Sequence, residues 1–242
     1  MVKIAIFDID NTLTESRSVI SATTAKLLSD LIDRMPVALI SGGSIESFEK
    51  QVISHLTHTK KNNLYALPTS GAELRAYEMG DWKKIYSFPI GHDKRRAIFK
   101  ELSKTLKISP VDLGQYIEDR GSQITYSALG KNAPLELKYT WDPTREKRRA
   151  IIKNLKPHLP GLSMTIGGST SIDFTEEGID KAFGVSKLLQ HLNISPPDAV
   201  FVGDAMDKGG NDAPVKTIGV HTLETKSIKQ TENIITGLIK EL

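Results

Sequence analysis

Both ends of the chain carry the pattern that most restricts its fold, in which short apolar runs alternate with amphipathic stretches of helical length. Near the amino end, VKIAIFDI and VALI predict buried strands, and SATTAKLLSDLIDRM between them predicts a helix with Ser21 as its N-cap. Near the carboxyl end, GIDKAFGVSKLLQHLNI predicts a helix and DAVFVGD a buried strand. This alternation predicts a parallel sheet with right-handed crossovers.

Further segments extend this pattern at both ends. After VALI, the turn SGGS leads into the helical stretch IESFEKQVISHL, and NLYALPTSGAELRAYE predicts two strands separated by a turn. After DAVFVGD, VKTIGVH predicts another strand, and KSIKQTENIITGLIKEL predicts a last helix. The two ends of the chain are therefore expected to build one sheet.

The middle of the chain contains an internal repeat. DKRRAIFKEL at residues 93–102 matches EKRRAIIKNL at residues 146–155, and two strand-like runs follow each of these helices. Two helix–strand–strand units predict a four-stranded antiparallel sheet with both helices on one face. The predicted fold is thus α/β: a Rossmann-like parallel-sheet core, residues 1–88 and 178–242, is interrupted by an α+β cap domain, residues 89–177.

The composition excludes several classes of protein. The chain has no Cys, so disulfide scaffolds, Cys-ligated metal sites and thiol nucleophiles are ruled out. Its 32 Lys and Arg side chains exceed its 29 Asp and Glu side chains by only three, and we expect no nucleic-acid partner. The apolar runs are too short to span a bilayer, and MVKIAIFDID does not resemble a signal peptide. We therefore expect a cytoplasmic protein with no membrane partner.

Acidic residues lie where two of the predicted strands end. Asp8 and Asp10 follow the first strand, where alternation sends both side chains to one side, and Asp204 and Asp212 follow the strand in DAVFVGD. Because the carboxyl ends of parallel strands meet at one edge, we expect these carboxylates to converge. Like charges this close require a cation, and Mg²⁺ prefers oxygen ligands. The alternative is that Asp8 and Asp10 merely form a turn.

Two further elements offer groups that suit a phosphoryl ligand. Ser41, Gly42 and the start of the next helix supply a hydroxyl and backbone N–H groups. Lys181 begins the helix after GID, where its charge would offset that of the carboxylates. Considered alone, Lys181 would be a solvated side chain.

These residues resemble the four motifs of the haloacid-dehalogenase superfamily of phosphotransferases, in the same order along the chain. The matching positions are Asp8, Asp10, Thr12, Ser41, Lys181, Gly203, Asp204, Asn211 and Asp212. DNTLTESR, GGSTSIDFTEEGIDK and GDAMDKGGND are similar to the phosphomannomutase branch, whose cap lies between the second and third motifs. Asn11 stands where that branch usually has Gly.

The resemblance implies a role for each core motif. Asp8 would be the nucleophile that forms an aspartyl-phosphate, and Asp10 would be the general acid and base. Ser41 and Lys181 would hold the transferring phosphoryl group and stabilise its charge. The expected Mg²⁺ ligands are Asp8, the backbone carbonyl of Asp10, Asp204 and Asp212.

The same resemblance implies substrate-binding residues, most of them in the cap. IEDRGSQITYSALGK is similar to the segment with which the branch binds the distal phosphate of its sugar, so Arg120 and Lys131 are the expected contacts. Ser171 and Asp173 match positions that bind sugar hydroxyls, and Arg17 matches a further family residue. Considered alone, Arg120 would be a surface charge and Asp173 a turn-flanking acid.

The function implied is Mg²⁺-dependent phosphoryl transfer on hexose phosphates, closest to the conversion of mannose 6-phosphate into mannose 1-phosphate. A phosphosugar phosphatase, in which water accepts the phosphoryl group, is the alternative. A non-catalytic phosphosugar-binding protein is a third hypothesis, but it gives no reason for the intact Asp8, Asp10, Lys181 and Asp204. The relatives also imply a homodimer formed through the cap.

Overall fold

A computed structural model describes residues 2–57 and 61–242 and divides the chain into two units. The first unit comprises Met1–Ser87 and Lys181–Leu242, and the second comprises Phe88–Asp180. The second unit is therefore an insertion into the first. The boundaries expected from the sequence, after residues 88 and 177, differ from these by one residue and by three.

The amino-terminal part of the first unit alternates strands with helices and then adds a hairpin. In chain order its elements are β1 (Ile4–Asp8), α1 (Ala22–Ile32), β2 (Val37–Ile40), α2 (Ile45–Gln51), β3 (Leu64–Leu67), β4 (Glu73–Glu78) and β5 (Asp81–Ser87). The Ser21 hydroxyl accepts a hydrogen bond from the Thr24 N–H at 3.1 Å and so caps α1 as predicted. β5 was not expected from the sequence.

The inserted unit contains the two repeated helices, each followed by a pair of strands. Its elements are α3 (His92–Leu106), α4 (Pro110–Leu113), β6 (Ile117–Asp119), β7 (Ile124–Ser127), α5 (Leu135–Trp141), α6 (Glu146–Leu155), β8 (Leu162–Gly167) and β9 (Ser171–Glu176). Its sheet is antiparallel, with the order β6-β7-β9-β8. The chain then returns to the first unit with α7 (Lys181–Leu192), β10 (Ala199–Gly203), β11 (His221–Glu224) and α8 (Ile228–Glu241).

The first unit is built on one mixed sheet, in the order β11-β10-β1-β2-β3-β4-β5. The strands from β11 to β3 run parallel, while β4 and β5 are antiparallel to their neighbours. Alternate residues of β1 face opposite sides: Phe7 packs with Leu28 of α1, and Ile6 packs with Val185 of α7. Helices therefore cover both faces of the sheet, and the prediction of a Rossmann-like core is confirmed.

The inserted unit has its own apolar core beneath its two long helices. Ile98 of α3 and Leu155 of α6 join Ile124 and Phe174 of the sheet in a single buried cluster. Both helices thus pack on one face of the antiparallel sheet. The prediction of an α+β insertion with this arrangement is confirmed.

The repeat extends to the contacts of equivalent arginines. Arg95 of α3 and Arg148 of α6 occupy the same position in the matched segments. Arg95 bonds to the carbonyl of Gly121, in the turn between β6 and β7, at 3.3 Å. Arg148 bonds to the carbonyl of Gly168, in the turn between β8 and β9, at 2.8 Å. Each helix is therefore tied by its Arg to the hairpin that follows it, as a duplication predicts.

The strand predicted over VKTIGVH is wrong. Ala213–Ile218 form 3₁₀ turns, and the strand begins only at His221. Pro214 suits the first turn of a helix because its φ is fixed and it has no N–H to satisfy. Gly219 then takes a left-handed conformation, with φ of 81°, which ends the turns before the chain enters β11.

Candidate active site

The carboxyl ends of β1, β2 and β10 lie side by side in the first unit. Asp8 pairs in register with Ile40, and Phe7 pairs with Val202. Ser41 and Asp204 therefore follow the neighbouring strands at the level where Asp8 ends β1. The convergence expected from parallel strands is what the sheet produces.

Lys181 is the first residue of α7 and lies buried between two carboxylates. Its Nζ is 2.5 Å from Oδ1 of Asp8 and 2.6 Å from Oδ1 of Asp212. The second oxygen of Asp8 accepts a hydrogen bond from the Thr12 hydroxyl at 3.3 Å, and that of Asp212 accepts one from the Ala205 N–H at 2.9 Å. Lys181 therefore belongs to the acidic cluster and is not a solvated side chain.

The pKa values in this cluster are perturbed. Burial raises the pKa of Asp8 well above its usual value, and the carboxylates of Asp212 and Asp204 add to this rise while Lys181 opposes it. Burial alone would lower the pKa of Lys181, but the attraction of Asp212 and Asp8 raises it above its usual value. Burial and the nearby Asp212 raise the pKa of Asp204 to about 6. One ammonium group thus faces three carboxylates, so the cluster favours a further cation.

The donor set suits a hard divalent cation. One oxygen from each of Asp8, Asp204 and Asp212 lies within 4.8 Å of the others. Asn11 donates a hydrogen bond to the second oxygen of Asp204 at 3.4 Å, from a left-handed backbone with φ of 60°. These ligands are all oxygens, as Mg²⁺ requires, so the residues present fit the expected ion. The side chain of Asp10 is not a member of this group, so the expectation that all four carboxylates converge is wrong for Asp10. Its Oδ1 instead accepts hydrogen bonds from the Arg17 N–H and from Gln51, and the resemblance assigns its backbone carbonyl as the ligand.

The Asp212 carboxylate fits only because β10 ends in glycine. A Cβ at Gly203 would lie 2.5 Å from Oδ2 of Asp212, far inside van der Waals contact. The Asp212 N–H also bonds back to the Ala205 carbonyl at 3.2 Å, which closes the loop after β10. Gly210 lies against the same carbonyl and leaves no room for a Cβ. The glycines of GDAMDKGGND therefore bring Asp212 beneath the end of the strand.

Asp10 lies in the loop after β1, and one of its carboxylate oxygens accepts two hydrogen bonds. Its Oδ1 accepts hydrogen bonds from the Arg17 N–H at 2.7 Å and from Nε2 of Gln51 at 3.3 Å. Arg17 is itself exposed, with φ of 60°, and its backbone is what contacts Asp10. The structure thus places Arg17 beside the acidic motif.

Ser41 and Gly42 form the turn that leads into α2. The Ser41 hydroxyl is buried and accepts a hydrogen bond from the Gly43 N–H at 3.2 Å. The Ser41 carbonyl accepts one from the Ser70 N–H at 2.9 Å, which fixes the turn against the loop after β3. Both residues occupy the sheet edge next to Asp8, as the sequence predicts.

The predicted sugar-binding residues of the inserted unit lie on one face of its sheet. β7 and β9 pair Thr125 with Asp173 and Ser127 with Ser171. The Thr125 hydroxyl donates to Asp173 at 2.7 Å, and the hydroxyls of Ser127 and Ser171 are 3.3 Å apart. Since Phe174 joins the apolar core, this polar face is the one opposite α3 and α6.

The two expected phosphate-binding cations flank β7 in sequence. Arg120 lies in the turn before the strand and forms a two-pronged ion pair with Glu118, at 3.0 and 2.8 Å. Lys131 follows the strand, and its N–H bonds to the Gln115 carbonyl at 3.2 Å. Both residues are only partly exposed. The guanidinium of Arg120 is therefore oriented by the protein rather than loose at the surface.

The sequence did not single out three buried polar side chains. Lys138 of α5 is 6% exposed and donates to the Lys131 carbonyl at 2.9 Å. Arg148 pairs with Asp142 at 2.9 Å, and Gln51 donates a hydrogen bond to Asp10. The repeat could have drawn attention to Arg148. Lys138 and Gln51 stand in ordinary helical patterns, which carry no signal of burial.

Comparison with solved structures identifies the fold. A phosphatase of the haloalkanoate (HAD) superfamily from Bacteroides thetaiotaomicron matches with a TM-score of 0.66 and 17% identity, over 100% of this chain and 94% of that one. The IMP-nucleotidase of Plasmodium falciparum matches with a TM-score of 0.72 and 17% identity, over 100% of this chain and 68% of that one. The chain therefore has the fold of these two proteins.

Sequence comparison then gives the family. The model of eukaryotic phosphomannomutases matches residues 24–240. The phosphomannomutase of Schizosaccharomyces pombe is 29% identical over 231 residues, which cover 89% of this chain and 87% of that one. The chain belongs to the eukaryotic phosphomannomutase family, as its motifs predicted. Among the helices of the described residues, none has both the length and the apolar character needed to cross a membrane.

Proposed function

We propose that the protein catalyses Mg²⁺-dependent phosphoryl transfer on hexose phosphates through an aspartyl-phosphate on Asp8, and that it interconverts mannose 6-phosphate and mannose 1-phosphate. The observation that carries this proposal is the buried Lys181 between Asp8 and Asp212, with Asp204 beside them. Burying such a cluster is costly for stability, so it is better explained by function. The phosphomannomutase relatives supply the substrate class.

Transfer requires a nucleophile and a proton carrier, and the chain offers both. An oxygen of Asp8 attacks phosphorus while the bond from phosphorus to the leaving sugar oxygen breaks. Asp10 gives its proton to that sugar oxygen. In the second half-reaction, the accepting hydroxyl gives its proton to Asp10 and attacks phosphorus, which releases Asp8. The same two residues therefore serve both directions.

The remaining groups balance charge during the transfer. Asp8, Asp204, Asp212 and the carbonyl of Asp10 would hold Mg²⁺, which supplies positive charge to the phosphoryl oxygens when bound. Lys181 and Ser41 add a fixed ammonium and a hydroxyl at the same sheet edge. Their positions do not have to rearrange during the reaction, because both are already fixed by hydrogen bonds.

Substrate contacts are proposed in each unit separately. Arg120 and Lys131 bind the distal phosphate, Ser171 and Asp173 bind sugar hydroxyls, and Arg17 and Gly42 contribute from the loops of the first unit. Asp173 can accept a hydrogen bond from a sugar hydroxyl through a carboxylate already ordered by Thr125.

A phosphosugar phosphatase remains the second candidate. Both solved structures described above share this fold, and they are a phosphatase and a nucleotidase. The first half-reaction is the same in either case, and only the acceptor differs. Water rather than a sugar hydroxyl then receives the phosphoryl group from Asp8.

One assay separates the two. The protein is incubated with Mg²⁺ and mannose 1-phosphate, with and without a hexose bisphosphate, and both free phosphate and sugar 6-phosphate are measured. A mutase forms sugar 6-phosphate, faster with the bisphosphate, and releases little phosphate. Stoichiometric phosphate release without sugar 6-phosphate identifies a phosphatase. An absence of both products would contradict the proposal.

A further inference from the structure

Gln51 connects the end of α2 to both ends of the loop between β1 and α1. The residue is 9% exposed, and its Nε2 donates to Oδ1 of Asp10 at 3.3 Å. Its backbone carbonyl accepts a hydrogen bond from the Ile20 N–H at 2.8 Å. Asp10 lies near the start of this loop and Ile20 near its end. Gln51 therefore fixes the loop through two separate groups.

The contact to Asp10 restricts one particular rotation. A carboxyl group turns easily about the last side-chain bond of Asp, because that torsion has broad energy wells. In Asp10 both donors, Nε2 of Gln51 and the N–H of Arg17, bind the same oxygen, Oδ1. Neither of them occupies Oδ2. The two contacts together fix which oxygen is directed to the loop and which one exchanges a proton.

The same helix carries the phosphoryl-binding turn at its other end. α2 begins at Ile45, three residues after Gly42, and ends at Gln51. The helix therefore links the turn containing Ser41 to the contact on Asp10. A rigid element of this length keeps a proton carrier and a phosphoryl-binding turn at a fixed separation, which proton transfer to the leaving oxygen requires.

We propose that Gln51 is a positioning residue for the acid/base Asp10. It holds Oδ1 so that Oδ2 meets the sugar oxygen in both half-reactions. The proposal rests on the function proposed above. In the forward step, the bond between Asp8 and phosphorus forms, the bond from phosphorus to the sugar oxygen breaks, and the proton on Oδ2 passes to that oxygen. In the return step, the proton of the sugar hydroxyl passes back to Oδ2.

This role gives a signature that depends on the leaving group. A sugar oxygen is a poor leaving group and needs the proton from Asp10. The p-nitrophenolate ion is a good one and leaves without a proton, so phosphorylation of Asp8 by p-nitrophenyl phosphate does not need an aligned Oδ2. Loss of Gln51 should slow the first reaction and spare the second.

The experiment compares Gln51→Met and Gln51→Glu with the wild type. Met has a similar length and no donor, and a Glu carboxylate cannot donate to Asp10. Gln190→Met on the exposed face of α7 is the matched control. For each protein, kcat and KM are measured for interconversion of mannose 1-phosphate and mannose 6-phosphate. The rate of the initial burst of p-nitrophenolate is measured separately, since it reports phosphorylation alone.

We expect kcat for the sugar to fall about ten- to a hundred-fold in both Gln51 variants, with KM and the burst rate within about two-fold of the wild type. Gln190→Met should behave as the wild type. An equal fall in sugar turnover and burst rate would assign Gln51 a merely structural role and overturn the inference, as would unchanged kinetics. Should Gln51→Met not fold, Gln51→Glu provides the same comparison. A wild type with neither burst nor sugar turnover would overturn the proposed function itself.

Discussion

At the level of single residues, the site of the first unit depends on the ammonium group of one buried lysine. Lys181 contacts both Asp8 and Asp212 at 2.5 and 2.6 Å, and all three side chains are shielded from solvent. In such a place each charge depends on its partners, because removing one leaves the others desolvated and unpaired. The residue that would stabilise the transferring phosphoryl group is thus also the one that opposes the rise in the pKa of Asp8.

Replacement of Lys181 tests this dependence. Lys181→Met should lower turnover by at least about a hundred-fold, because both the phosphoryl contact and the counter-charge are lost. Without Lys181, the pKa of Asp8 would be raised further above the unfolded value. Stability would be retained at acidic pH and lost as the pH rises. Urea unfolding should therefore show that the free energy of unfolding falls further below that of the wild type at pH 8 than at pH 5. Lys187→Met on the same helix is the control, and an active variant with an unchanged pH profile would contradict this role.

Arg120 allows a test of the proposed phosphate contact in the inserted unit. Arg120→Ala should lower kcat/KM for a hexose phosphate about ten- to a hundred-fold, since a charge-assisted contact contributes roughly 1.5–3 kcal/mol. p-Nitrophenyl phosphate has no distal phosphate, so its kcat/KM should change by less than about two-fold. Arg96→Ala, on the exposed surface of α3, controls for loss of charge. Equal losses on both substrates would show that Arg120 acts through stability.

The residues of the site could be predicted to different extents. Asp8, Asp204 and Asp212 were predictable as a cluster because they follow strands of one sheet, and parallel strands end at one edge. The contact of Lys181 with both carboxylates was expected only in outline. Gln51 and Lys138 could not be found, because their burial depends on tertiary contacts that a helical pattern does not record.

At the level of elements, the inserted unit uses the same helix-to-hairpin contact twice. Arg95 and Arg148 each tie a helix to a following hairpin, but their environments differ. Arg95 is partly exposed and pairs with Asp119, while Arg148 is buried and pairs with Asp142. Burial alone would raise the pKa of Asp142, but the Arg148 guanidinium and the N–H groups of Arg148 and Lys147 lower it below its usual value.

The buried pair predicts an acid-sensitive contribution to stability. Because the folded pKa of Asp142 is below the unfolded one, its contribution is present above about pH 4 and is lost as the pH falls further. Arg148→Met should therefore lower the free energy of unfolding by about 3–5 kcal/mol at pH 7, and by less at pH 3. Arg149→Met, at an exposed neighbour, is the control. Urea unfolding at both pH values tests this, and a deficit independent of pH would contradict it.

The secondary structure that escaped prediction has identifiable physical reasons. β5 contains DWKKIYS, whose Lys residues are exposed on an edge strand, so no apolar run marks it. VKTIGVH has the composition of a strand, but Pro214 just before it favours 3₁₀ turns. The left-handed Gly219 then ends these turns. The central strands were predictable because burial on both faces gives them continuous apolar runs. The long helices were predictable because burial on one face repeats apolar residues at the helical period.

At the level of the whole molecule, one chain forms two units with different chemistry. The first collects carboxylates and a lysine at a sheet edge, and the second presents hydroxyls and Asp173 on an antiparallel sheet. The function proposed above uses this division, with phosphoryl transfer in the first unit and sugar binding in the second. Both sets of residues suit a phosphotransferase of this family.

Binding of Mg²⁺ should both restore activity and stabilise the protein. Excess EDTA should abolish turnover, and Mg²⁺ at about a hundred times its Kd should restore it and raise Tm by roughly 5–10 °C. The rise should be larger at pH 8 than at pH 5, because the pKa of Asp204 is raised to about 6 and protons compete with the ion below it. Asp204→Asn should remove most of the rise. Full activity in excess chelator would contradict the proposed metal requirement.

The central claim is that Asp8 carries the phosphoryl group during turnover, and it can be measured directly. The protein is mixed with Mg²⁺ and a hexose bisphosphate, quenched in acid and treated with borohydride, which reduces an aspartyl-phosphate to homoserine. Mass spectrometry of the tryptic peptide spanning residues 4–17 then identifies the modified position. We predict homoserine at position 8 in the wild type and none in Asp8→Asn. Modification at another residue, or an unmodified Asp8 in a protein that is turning over, would contradict the account.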